Sequence, residues 1–199
     1  MSASVKIRAA RPDDVELIFS LIVGLAEYER APGQVTGTPE LLRTALFGDQ
    51  PSAEALIAEQ LDDAGAGRSS EAGSRAAGKP AADPLGFALF HGSFSTWECR
   101  PGIWLEDLYV PPEHRRGGVG RALLSEVAAI AVARGCARLE WAALDWNSPA
   151  LDFYAGLGAG RLHEWLMHRL DGEALRAVAA EAGSERRPRP GDEGPLPGY

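Results

Sequence analysis

The sequence predicts a mixed α/β fold, one sheet with helices on both faces, in the order βααβ–ββαβαβ(α). Three observations carry this. Apolar residues alternate with period two in some stretches and recur with helical spacing in others. Three strand-like runs follow one another with no helix between the last two, which a regular doubly wound repeat does not allow. The size also fits, since 199 residues with 45% hydrophobic content make one domain with a proper core and too little for two full ones.

SVKIRAA (4–10) sets Val5, Ile7 and Ala9 against polar neighbours and predicts a strand. PDDVELIFSLIVGLAEYER (12–30) predicts a helix. Pro12, Asp13 and Asp14 suit a first turn, and Val15, Ile18, Ile22 and Leu25 recur at helical spacing. In TPELLRTALFG (38–48), Thr38 caps, Pro39 starts and Gly48 stops a shorter helix. SAEALIAEQ (52–60) reads as a strand. LGFALFHG (85–92) and IWLEDLYV (103–110) are strands, and GVGRALLSEVAAIAVARG (118–135) is a long helix with Leu123, Val127, Ile130 and Ala131 on one stripe. ARLEWAAL (137–144) reads as a strand, NSPALDFYAGLG (147–158) as a helix, RLHEWLMHRL (161–170) as a strand, and DGEALRAVAAEAG (171–183) as a last helix.

Residues 61–84 change character to Ala, Gly, Ser, Asp and Pro. Such a segment buries too little apolar surface to offset its ordering entropy, so the sequence predicts a disordered insertion on a hairpin. The tail 183–199 is expected not to fold alone. The domain organisation is therefore one domain over 1–182, with the insertion at 61–84.

A net charge of −8 suits a cationic partner and argues against a nucleic-acid or anionic-membrane surface. Cys99 and Cys136 have no metal-ligand spacing, and the four histidines are scattered, so no metal is expected. With no signal peptide and no apolar run long enough to span a bilayer, the expected location is the cytoplasm.

The turn EHRRGGVGRALL (113–124) packs two arginines and three glycines in front of a helix. A helix N-terminus offers N–H groups outside the helical ladder and about half a positive charge. Glycines let a backbone close on an anion and aim several N–H groups at one point. The pattern describes a phosphate or pyrophosphate cradle, with a Gly-rich loop leading into an ordinary core helix as the alternative. A Walker loop would need Lys-Ser or Lys-Thr, and a dinucleotide fingerprint would need GxGxxG; this loop has neither.

Arg115-x-x-Gly118-x-Gly120, after a strand ending LEDLYV and before a long amphipathic helix, resembles the pyrophosphate loop of the GNAT N-acetyltransferases. DWNSPALDFYAGLGA (145–159) resembles that family's downstream element. LAEYER (25–30), the Trp97 region, WLEDLYV, ALDWNSPALDFY and the C-terminal strand resemble the diamine (spermidine/spermine-type) and thialysine acetyltransferases in the same order. The resemblance covers roughly residues 4–170, apart from 61–84. It implies a central, mostly antiparallel, twisted mixed sheet, acetyl-CoA as co-substrate, a small cationic amine as acceptor, and a homodimer.

The resemblance also implies roles. Glu106 is the water-mediated base or amine-binding carboxylate, and Tyr154 gives a proton to the departing thiolate. Main-chain groups of Leu108, Tyr109 and Val110 run beside the pantetheine. Arg115, Arg116, Gly117, Gly118, Val119, Gly120 and Arg121 take the pyrophosphate, while Asn147 and Ala150 meet the pantetheine arm. Tyr28, Glu29, Trp97, Asp107, Glu140, Trp141 and Ala142 line the amine site with Glu106. By strand alternation, Glu106 points with Trp104 and Leu108, and Asp107 points the other way. The basic residues that relatives place after the tyrosine are missing here, and Leu157 stands in one such position. Other small amines, and a silent acyl-CoA-binding module, are the alternative readings.

Overall fold

The structure, a computed structural model, describes residues 5–60 and 84–182. The insertion expected at 61–84 lies outside these residues except for Pro84, and so does the tail 183–199. The chain divides into two units, the first ending at Leu144 and the second beginning at Asp145.

The first unit holds a five-stranded mixed sheet. Its strands are β1 (Val5–Ala9), β2 (Glu54–Gln60), β3 (Pro84–Ser95), β4 (Arg100–Tyr109) and β5 (Leu139–Glu140), and they lie side by side in that order. The first four pair antiparallel, and β5 runs parallel to β4. Three helices accompany them: α1 (Val15–Tyr28), α2 (Pro39–Phe47) and α3 (Val119–Ala133).

Local chemistry starts each early helix where expected. Pro12–Asp14 form a single tight turn, and the Asp14 carboxylate accepts the Arg11 N–H at 2.7 Å. Arg8 on β1 donates two N–H bonds to Asp14, at 2.6 and 2.8 Å, and one to Glu59 on β2 at 2.7 Å. Burial alone would raise the Asp14 pKa, but the Arg8 bonds and charge outweigh it and hold the carboxyl below its ordinary range. Thr38 Oγ1 accepts the Leu41 N–H to cap α2, and Gly48 closes it.

The sheet buries both faces. Ile18 and Leu21 of α1 and Leu46 of α2 pack with Ala55, Ile57, Phe87, Leu89 and Tyr109. The alternate residues Leu56, Ala88, Phe90 and Leu105 are also buried, on the opposite face. There α3 crosses β1 to β4 with Leu123 and Val127 fully buried. Each such Phe or Leu contributes about 1.5–3 kcal/mol of hydrophobic stabilisation.

Two expected strands do not form as predicted. ARLEWAAL (137–144) contributes only Leu139–Glu140 to the sheet, and RLHEWLMHRL (161–170) carries no strand. Alternation proposes a strand, but a neighbouring edge must supply the hydrogen bonds. Among the described residues, Leu139 and Glu140 find them on Ile103 and Trp104, and 161–170 pairs with no strand. The described residues of the second unit are thus helical where regular, with α4 (Ser148–Ala155) and α5 (Gly172–Glu181).

Candidate active site

The register between β3 and β4 slips once. Leu89 faces Asp107 and Phe90 faces Leu105, so Glu106 is an extra residue with no partner on β3. This is a β-bulge, and it re-aims the side chains around it. His91 faces Trp104 across the strands, the Trp104 indole Nε1–H donates to Glu106 Oε2 at 2.9 Å, and His91 Nε2 stands 3.7 Å from the same oxygen. Asp107, opposite Leu89, shares the α1-facing side with Leu89 and Tyr109. The expected alternation is therefore corrected. Glu106 does not share a side with Leu108, and the two successive acids lie together because the bulge cancels one half-turn of the pleat.

Asp107 feels the consequence. Burial first, then the charges of Glu106 and Glu29, push its carboxyl up to about 6. Glu29 follows the last residue of α1, where the helix dipole disfavours an acid, and burial raises its pKa as well. Glu29, Glu106 and Asp107 thus form an acidic group at the end of α1 and the middle of β4. Glu106 is its most open member, with 55% of its side chain exposed.

Beyond Trp104, β4 leaves β5. The parallel pairing comprises Ile103 with Leu139 and Trp104 with Glu140, and residues 141–144 are not strand. One main-chain edge of Leu108 and Tyr109 is bonded to β3, while the other has no strand beside it among the described residues. Tyr109 is buried, its ring so close to α1 that a Cβ on Gly24 would lie 3.2 Å from its hydroxyl.

The chain then turns into the Gly-rich loop. Arg115 Nε donates to Val110 O at 2.8 Å, and its guanidinium lies 4.2 Å from the centre of the Tyr28 ring, a cation–π contact that ties the turn to α1. Arg116 and Gly118 both adopt left-handed backbone, with φ of +65° and +87°. Arg116, Gly117 and Gly118 are exposed, and Gly118 caps α3. The first bond of the helical ladder runs from Ala122 N to Gly118 O at 3.0 Å, so the N–H groups of Val119, Gly120 and Arg121 precede it. N–H groups outside the ladder beside left-handed backbone suit an anion such as a pyrophosphate.

The remaining amine-site residues lie at different distances from Glu106, and Glu140 stands beside Trp104 in the parallel pairing. Glu140 pairs with Arg138 at 2.8 Å, and Ala142 is exposed. Trp97 sits in the β3–β4 turn, 87% exposed. Six residues of β4 separate that turn from Glu106, roughly 20 Å along a strand. In the second unit, Asn147 Oδ1 accepts the Ala150 N–H at 3.4 Å and caps α4, and Tyr154 tilts against Phe153 with ring centres 5.2 Å apart. Sequence reasoning misses His91 and Trp104, both in contact with Glu106. No local signal marks them, because they meet Glu106 only through the cross-strand register. Among the described residues, no group of three or more His, Cys, Asp or Glu could hold a metal ion, and no helix is long and apolar enough to cross a membrane.

The family described as "Acetyltransferase (GNAT) family" matches residues 43–159. Thialysine N-epsilon-acetyltransferase of Bos taurus is 40% identical over 183 residues, 90% of this chain and 99% of that protein. L-ornithine N5-acetyltransferase NATA1 of Arabidopsis thaliana is 30% identical, over 87% of each chain. Among solved structures, the V. cholerae integron cassette protein VCH_CASS6 superposes with a TM-score of 0.64 at 24% identity, covering 90% of this chain and 98% of that one, a likeness of fold.

Proposed function

The chain belongs to the GNAT family of acetyltransferases, and we propose that it moves the acetyl group of acetyl-CoA onto a primary amine of a small cationic molecule. The acceptor class is a thialysine-like or ornithine-like side-chain amine, with diamines and polyamines next. The observation that carries this reading is strand β4. It joins a bulge that gathers two carboxylates beside Glu29 to a main-chain edge that, among the described residues, no strand covers and that leads to the Gly117–Gly118 loop.

Acetyl-CoA supplies an activated thioester. Its pantetheine suits the edge of Leu108 and Tyr109, adding as a strand would and continuing past Val110, whose carbonyl accepts the Arg115 Nε–H, and its pyrophosphate suits the N–H groups from Gly117 to Arg121. Asn147 and Ala150 complete that arm in this reading. Glu29, Glu106 and Asp107 hold the acceptor as a cation, which the net charge of −8 supports. A free amine with a pKa near 10.4 costs roughly 4–5 kcal/mol to deprotonate at pH 7. Glu106 takes the proton, and Tyr154 returns one to the thiolate. The names of relatives at 30% and 40% identity support a side-chain amine over other acceptors.

In the same reading the protein is cytoplasmic and dimeric. The exposed apolar side chains of Leu162, Leu166 and Met167 support contact with a second copy. The test is CoA-thiol release from acetyl-CoA against a panel of lysine analogues, ornithine, diamines, polyamines and aminoglycosides. Selective turnover of side-chain amines is expected. Turnover of another class moves the acceptor, and acetyl-CoA binding with no turnover overturns the enzyme reading.

A further inference from the structure

We propose that His91 is a positioning and proton-relay residue, the exit through which the amine's proton leaves Glu106. The inference rests on the reading of Glu106 as the proton acceptor. It stands on three observations. His91 Nδ1 lies 3.0 Å from the carbonyl oxygen of Gly92. A carbonyl only accepts, so Nδ1 carries the hydrogen, and Nε2 of the neutral ring is left with a lone pair. That Nε2 faces Glu106 Oε2 at 3.7 Å. A lone pair and a carboxylate oxygen face each other favourably only when a proton lies between them, on one or the other.

The second contact fixes the carboxylate. Trp104 Nε1–H donates to Oε2 at 2.9 Å, so the oxygen turned to His91 is held there, and Oε1 is the one left for an amine. The third observation is exposure. The His91 side chain is 38% exposed. It therefore stands between the carboxylate and solvent, while a bound ammonium would cover the open side of Glu106. The other acids near this group are Asp107, which is on the same strand as Glu106, and Glu29 at the end of α1. Neither contacts His91 in the way that Glu106 does.

The step balances. The ammonium gives one proton to Glu106, and Glu106 passes it through one bridging water to His91 Nε2, since 3.7 Å is beyond a direct hydrogen bond. The imidazolium releases it to water. The neutral amine nitrogen then forms its bond to the acetyl carbon as the carbon–sulfur bond breaks with its electron pair on sulfur. The second amine proton ends on that thiolate. One proton is released per turnover, and His91 carries that one.

The test uses the full chain with the amine that the panel identifies. His91→Asn keeps a donor for the Gly92 carbonyl but has no second basic nitrogen, so kcat should fall about tenfold while KM for the amine stays within about twofold. His91→Ala should lose the same activity and regain part of it with free imidazole, whereas Glu106→Gln should not respond to imidazole. Nitrogen NMR of the ring should show Nδ1 protonated in the neutral form. An unchanged kcat in His91→Asn, a lack of imidazole rescue, or a neutral ring protonated at Nε2 overturns the relay alone. A wild-type protein that acetylates no amine overturns the functional reading and the relay with it.

Discussion

Asp107 of β4 senses the carboxylate of Glu29, from the end of α1, as well as that of its neighbour Glu106. Three acids from two elements would repel one another without a cation among them, and burial sharpens the cost. The folded protein keeps this arrangement at the expense of stability, as binding sites often do.

Asp107→Asn tests that trade. The Asp107 pKa is raised from 3.8 to about 6 on folding, so the folded protein binds more protons than the unfolded chain in that window. Stability contributed by this group therefore falls as pH rises from about 4 through 6. Asp107→Asn should melt higher than wild type at pH 8, and the gap should close near pH 4. Thermal melts across that range check it, and a variant less stable at pH 8 would show that Asp107 is a structural partner. The same variant should bind a cationic amine more weakly.

Gly118→Val addresses the cradle. Gly118 has φ of +87°, and a Cβ there would meet nothing within 4 Å, so the damage comes from the backbone and not from a clash. A β-branched residue in that conformation costs about 1–3 kcal/mol and re-aims the loop. CoA binding, followed by calorimetry, should be lost while the melting curve stays cooperative. Normal affinity would refute the cradle.

Tyr154→Phe separates binding from chemistry. The substitution keeps the ring that packs on Phe153 and removes only the hydroxyl. Turnover should drop at least about tenfold with CoA affinity retained. Steady-state kinetics with unchanged kcat would remove Tyr154 from the mechanism.

Deleting residues 62–83 and closing the gap with a short turn should leave the melting temperature nearly unchanged. Glu59 on β2 and Pro84 on β3 are cross-strand partners, so the two ends already lie side by side. A large loss would mean that the segment contributes to the folded core.

Arg8 links β1, the start of α1 and β2 through Asp14 and Glu59, and all three side chains are largely covered. Arg8→Met should cost about 2 kcal/mol or more, because two partly buried carboxylates lose their donor. Chemical denaturation at pH 7 measures it. The Asp14 share should fade as pH falls, since that carboxyl titrates below its ordinary range when folded and its stabilisation is lost on protonation.

Features written in a few consecutive residues are legible in the sequence by itself. Thr38 before Pro39, Asn147 before Ser148 and Gly118 before α3 state their roles locally, because a cap or a left-handed turn needs only its own neighbours. The GNAT family is legible for the same reason, since its loop and its Asn-to-Tyr helix are short motifs. The early strands and helices follow from periodicity.

Which strands pair, and where the pairing slips, depends on contacts between segments far apart in the chain. ARLEWAAL and RLHEWLMHRL alternate as strands do, yet a strand exists only where another edge meets it. The side chosen by Glu106, the raised pKa of Asp107 and the contact of His91 with Glu106 all follow from one extra residue in the β3–β4 register. A bulge belongs to two strands at once, so neither stretch of sequence could announce it alone.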